Sequence, residues 1–139
     1  MGKLCFLVTA IYLIFMAFFD QKTRKIPIWP GALCMAVIAL LHILAGHGWS
    51  AWLPGVFVGI FLYVVNRVSR GRVGTGDALV YSVTGVALGF LRNVELLMAS
   101  LFLASIAALI LVVIRRVGKN YAMPFIPYTA AAFFVLVCL

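Results

Sequence analysis

Phe18-Phe19-Asp20-Gln21-Lys22-Thr23-Arg24-Lys25-Ile26-Pro27-Ile28 interrupts what would otherwise be one apolar run from Leu4 to Gly46. One carboxylate and three cations stand between two segments, 4–20 and 28–46, each long enough to be a membrane helix. Continuous apolarity over about 20 residues argues for helices, because a segment in lipid must satisfy its own backbone hydrogen bonds. The same alternation continues along the chain and predicts further spans at 50–67, 77–91, 94–114 and 121–139. The expected fold is therefore all-α, with six transmembrane helices in a single polytopic domain over 1–139.

Composition agrees. Of 139 residues, 66% are hydrophobic and only 10% are charged, with a mean hydropathy of +1.21. Soluble domains carry about 25% charged residues, so this chain lacks the polar surface to cover a water-soluble globule. Its net charge of +8 would suggest nucleic acid in a soluble protein. Here it fits cytoplasmic loops rich in Lys and Arg, and no nucleic-acid partner is expected.

Loop charge predicts the orientation. Lys22, Arg24 and Lys25 follow the first span, Arg67, Arg70 and Arg72 the third, and Arg115, Arg116 and Lys119 the fifth. The intervening loops hold His47 and Trp49 in one case, Arg92 and Glu95 in the other. Three basic loops on alternate connections place those loops in the cytoplasm and both termini outside. Trp29, Trp49 and Trp52 fit interfacial belts, and His42 and His47 fit the outer half of the bundle. The first apolar run differs from a secretory signal in its basic C-terminal flank, and no small-residue cleavage site precedes that flank. Cys5, Cys34 and Cys138 lie far apart in apolar stretches, which indicates neither a disulfide framework nor a zinc site.

The chain has three acids. Glu95, near Arg92, reads as an interfacial residue. Asp20 ends the first span and Asp77 begins the fourth, both at the predicted cytoplasmic boundary. Ionisable groups at membrane depth are costly and usually face a protein interior or a water-filled cavity. Two such carboxylates brought together share a proton, and peptide hydrolysis needs one ionised and one protonated carboxyl. From charge position alone, Asp20 reads equally well as a partner for Lys22 or Arg24, and Asp77 as a helix cap. Context separates the readings. Asp77 closes Gly74-Thr75-Gly76-Asp77 directly before an apolar helix, and glycines there let a substrate strand approach the carboxylate. Gly85 and Gly89 read as helix-packing positions.

Three segments resemble the type IV prepilin peptidases, the bacterial branch of the GxGD intramembrane aspartyl proteases. Asp20-Gln-Lys-Thr-Arg-Lys-Ile-Pro27 is similar to the family's first aspartate motif, Gly74-Thr-Gly-Asp77 to its second, and Pro124-Phe125-Ile126-Pro127-Tyr128 to a late Pro-Phe-Gly-Pro segment. The chain departs from the pattern at Ile28, where Asn commonly follows Ile-Pro, at Leu79, where a Lys often stands, and at Ile126, in place of Gly. The Pro-Ala-Leu signature of presenilin-like relatives is absent. So are the cysteine motif and the length of methyltransferase-bearing members, so no methyltransferase or zinc-binding domain is expected. The likeness is to small peptidase-only members, including those serving tight-adherence (Flp) pili.

The resemblance implies a multi-pass protein of the bacterial inner membrane with its active site facing the cytoplasm. Asp20 and Asp77 would be the catalytic pair of an endopeptidase that needs no metal or cofactor. Gly74, Gly76, Pro27, Pro124, Phe125 and Pro127 would shape the site. The partners implied are the bilayer and prepilins or pseudopilins of type IV pili or type II secretion, each with a basic leader before a hydrophobic helix. Two rival functions remain open at this point: a small proton-coupled transporter, and an inactive assembly subunit of a pilus or secretion system.

Overall fold

A computed structural model of the chain describes residues 2–23, 27–70, 74–115 and 123–138. All the regular elements among them are helices: α1 (Gly2–Thr23), α2 (Ile28–Leu44), α3 (Trp49–Trp52), α4 (Val56–Val68), α5 (Thr75–Leu88), α6 (Phe90–Arg115) and α7 (Ile126–Cys138), with a 3-10 turn at Leu53–Gly55. That turn, which contains Pro54, joins α3 to α4 in one rod, so the helices form six rods. Arg24, Lys25, Arg72, Arg116 and Lys119 of the expected basic loops lie outside the described residues.

Three rods are long and apolar enough to cross a membrane: Lys3–Thr23, Trp49–Val68 and Phe90–Ile114. α2 and α7 are apolar but shorter, at 17 and 13 residues. α5 has 14 residues, or about 21 Å at 1.5 Å per residue, against a hydrocarbon core of about 30 Å. Among the described residues, then, there are six helical rods: three long enough to span and three shorter, including α5, whose segment 77–91 is already short in the sequence.

The largest difference from expectation lies at the end of α5. The helix stops at Leu88 rather than continuing to 91, and Gly89 turns the chain with φ 78° and ψ 177°. A side chain would not tolerate that backbone. α6 begins at once, and Asn93 N–H bonds to Gly89 C=O at 3.1 Å. Arg92 and Glu95 are therefore not loop residues. They form an exposed ion pair of 3.6 Å, one turn apart on α6. α7 starts at Ile126 rather than 121, after Pro124. The Phe125 C=O accepts from Tyr128 N–H at 3.0 Å and Thr129 N–H at 3.3 Å, and Pro127 costs no hydrogen bond in a first turn. Trp52 is not a belt residue. It is buried and stacked on His42, with ring centroids 5.8 Å apart. Trp29 and Trp49 are exposed, Cys5 and Cys34 buried, and Cys138 exposed.

α5 lies at the centre, burying Ala78, Val80, Tyr81, Val83, Thr84, Gly85 and Val86. It meets the α3–α4 rod backbone to backbone. A Cβ on Gly55 would sit 1.9 Å from the Gly85 carbonyl oxygen, and one on Gly59 would sit 2.0 Å from Ser82 Oγ. Lipid tails are as apolar as leucine, so close packing of small residues and buried hydrogen bonds hold such helices together. Asn93 supplies those bonds. Its Nδ2 donates to Tyr81 C=O at 2.8 Å and Gly55 C=O at 3.2 Å, and its Oδ1 accepts from Thr84 Oγ1 at 2.8 Å. This network fixes one end of α5, and the acids stand at the other.

Candidate active site

Asp20 stands one turn before the end of α1, half-buried. Its Oδ2 accepts a 3.4 Å hydrogen bond from Ile126 N–H. Ile126 is the first residue of α7, where backbone N–H groups lack intrahelical partners and the helix dipole favours a negative charge. The carboxylate of α1 thus caps α7, 106 residues away in the chain.

Asp77 is the third residue of α5. The extended Gly74 (φ −66°, ψ 132°) precedes the helix, and its C=O accepts from Asp77 N–H at 3.1 Å. A Cβ on Gly74 would lie only 3.1 Å from Asp77 Oδ2, so the carboxylate folds back against its own helix start. Burial is the main influence on the Asp77 carboxyl, and the charge on Asp20 acts on it second. α1, α5 and α7 therefore converge at this end of the bundle.

Tyr81, one turn beyond Asp77, completes the junction. The charge on Asp77 reaches it. Its hydroxyl bonds Ser100 Oγ on α6 and, at 3.3 Å, Thr129 Oγ1 on α7. Its ring lies 6.4 Å from that of Phe125. Tyr81, Ser100, Thr129 and Asn93 belong to none of the motifs read from the sequence. A signal was present, since all four are polar residues in apolar helices, and Tyr81 follows Asp77 at the four-residue spacing that puts side chains on one helical face.

The other site-shaping candidates divide. Gly74 and Phe125 join the acids and Tyr81. Pro27 is the extended residue before α2, and Pro124 and Pro127 bracket the start of α7. Gly76 instead lines a separate cavity of about 340 Å³ with Ile28 of α2, Gly59, Ile60 and Tyr63 of α4, and Leu79 of α5. By helical spacing Asp77, Tyr81 and Thr84 make one stripe of α5, while Thr75, Leu79 and Ser82 make another. Among the described residues no group of three His, Cys, Asp or Glu residues is placed to hold a metal ion.

Residues 7–113, which include both acids, match the type IV leader peptidase family. The chain belongs to this family. Over 84 residues it is 31% identical to the prepilin leader peptidase/N-methyltransferase of Bacillus subtilis (strain 168), an alignment covering 60% of this chain and 34% of that protein. The chain thus spans about a third of the length of this type IV leader peptidase relative. No solved structure matches it. Family membership and three long apolar helices make it an integral membrane protein.

Proposed function

We propose that this chain is an aspartyl endopeptidase that removes the basic leader of prepilins or pseudopilins at the cytoplasmic face of the bacterial inner membrane. What supports this reading is that Asp20 and Asp77, on two helices far apart in sequence, stand at one end of the bundle near enough for one charge to act on the other, each beside the start of a helix. Membership in the type IV leader peptidase family supports the same conclusion.

In the proposed reaction one carboxylate is ionised and its partner protonated, because like charges at close range in a poorly solvated site do not both ionise. The ionised carboxylate takes a proton from water as the oxygen attacks the scissile carbonyl. The protonated one gives its proton to that carbonyl oxygen. Collapse of the tetrahedral intermediate breaks the C–N bond, and the proton taken from water passes to the departing amine. No covalent enzyme intermediate forms. Each aspartate serves once as acid and once as base over a cycle, so the pair titrates as a unit.

The test is leader cleavage by the full chain in vesicles, using a purified prepilin and separating precursor from product by mass. Asp20→Asn and Asp77→Asn are each expected to lower the rate by about 100-fold or more, the scale of a lost general acid or base. Undiminished cleavage in either variant refutes the proposal.

A further inference from the structure

The cavity beside Gly76 lies on a different stripe of α5 from Asp77, and the proposed chemistry gives it no part. It is a groove between the start of α2 and the middle of α4, floored by α5. Small residues make its depth, and Ile28 (70% exposed), Ile60 (49%) and Tyr63 (47%) form an open rim. Ile60 and Tyr63 belong to a rod long and apolar enough to cross a membrane, Trp49–Val68, so the rim opens on the outer, apolar side of the bundle.

The lining states the chemistry. The Ser82 hydroxyl donates to its own helix, to Ala78 C=O at 2.9 Å, which leaves the floor dominated by Leu79, Ala78 and glycine. A polypeptide seated there must satisfy its own backbone, which in lipid means a helix. From Thr75 to Ser82 the floor runs about 10 Å, or two helical turns, and a whole helix is about 10–12 Å across. A cavity of about 340 Å³ thus accepts the side chains along one face of a helix rather than its full girth. Near one end of the floor is Gly76, joined directly to Asp77. A helix seated in the groove presents the peptide leaving its end to that carboxylate.

We propose that this groove docks the apolar helix of the substrate, on the C-terminal side of the scissile bond, with Ile28, Ile60, Tyr63 and Leu79 as its contacts. The inference rests on the endopeptidase function proposed above and adds to it a substrate-selecting surface outside the carboxylate pair.

The full chain in vesicles is given two peptides with the same leader and cleavage site, one with and one without the apolar helix. Ile60→Trp narrows the groove from its exposed rim. It is expected to raise KM for the helix-bearing peptide about tenfold while leaving kcat/KM for the helix-less peptide within twofold. In a second arm, benzoyl-phenylalanine replaces Ile60 or, as a lipid-facing control, Phe102 of α6. Light should join position 60 to the apolar segment of the helix-bearing peptide and position 102 to lipid. Equal effects on both peptides, no effect on either, or an adduct at 60 with only lipid or a second copy of the chain overturns the docking site. If wild-type protein cleaves neither peptide, the endopeptidase function fails, while the adduct at position 60 still decides the groove.

Discussion

Gly85→Ala is expected to destabilise the bundle by about 2–4 kcal/mol. The new methyl carbon would lie 2.1 Å from the Gly55 carbonyl oxygen and 2.8 Å from Asn93 Nδ2. Neither neighbour is a flexible tip: one is backbone, and the other is held by Tyr81 C=O and Thr84 Oγ1. Ordinary contact begins near 3.4 Å, so α5 and the α3–α4 rod must part by about 1 Å. Overpacking on this scale costs about 1–3 kcal/mol. Parting the rods also stretches the 3.2 Å bond from Asn93 to Gly55 C=O, and such bonds between membrane helices are worth about 0.6 kcal/mol on average and about 1.7 at most. The assay is reversible unfolding in mixed micelles, following helical ellipticity against the mole fraction of dodecyl sulfate. Gly55→Ala faces the same contact from the other side and should behave alike. Gly48→Ala is the control: its Cβ would meet nothing nearer than Ser50 Oγ at 3.8 Å, so its cost stays at the level of a weakened helix cap, under about 1 kcal/mol. If Gly85→Ala unfolds within about 0.5 kcal/mol of the parent, the two rods do not pack backbone to backbone and the geometry is wrong.

Tyr81→Phe keeps the ring against Phe125 but removes the hydroxyl that bonds Ser100 and Thr129. Leader cleavage should lose about tenfold in kcat with KM little changed; a loss confined to KM, or none, would show that Tyr81 does not seat α7 at the acids. Arg92→Ala removes an exposed pair of 3.6 Å, and such pairs contribute about 0–1 kcal/mol. Its unfolding midpoint in the same micelles should match the parent, and a shift above about 1 kcal/mol would mean that Arg92 has a structural partner beyond Glu95.

The helical class and the gathering of Asp20 and Asp77 at one end of the bundle are legible from the chain, because both follow from long-range alternation: apolar runs separated by polar breaks. What is not legible follows from local packing. Gly89 reads as one more small packing residue until its φ of 78° shows it ending α5 and starting α6. The charges of Arg92 and Glu95 look like loop markers, yet Asn93 between them is wholly buried, and its hydrogen bonds hold this turn in the helix. Trp52 has the composition of a belt residue, but the 3-10 turn around Pro54 places it under His42. Tyr81 carries no motif at all. Its importance arises from Ser100 and Thr129, which lie 19 and 48 residues away, and no local pattern reports such a meeting.

The three departures from the prepilin-peptidase pattern have different structural consequences. Ile126 replaces a glycine, yet what this position gives Asp20 is its backbone N–H, which any residue but proline supplies. Its side chain is fully buried, so the cost or gain of the change lies in the packing of α7 rather than in the contact with the acid. Ile28 and Leu79 are 51 positions apart in the chain but line the same groove. Leu79 also closes over α2 so tightly that a Cβ on Gly31 would lie 2.2 Å from its Cδ2. Asn and Lys at these two positions would introduce an amide and an ammonium into a lipid-facing hollow that here is almost entirely apolar. The departures thus leave the two carboxylates and their backbone partners in place and concentrate the change on the surface that would meet the substrate's helix. On the proposed reading, Ile28 and Leu79 therefore act on which substrate helix the groove accepts, at a surface distinct from the two carboxylates.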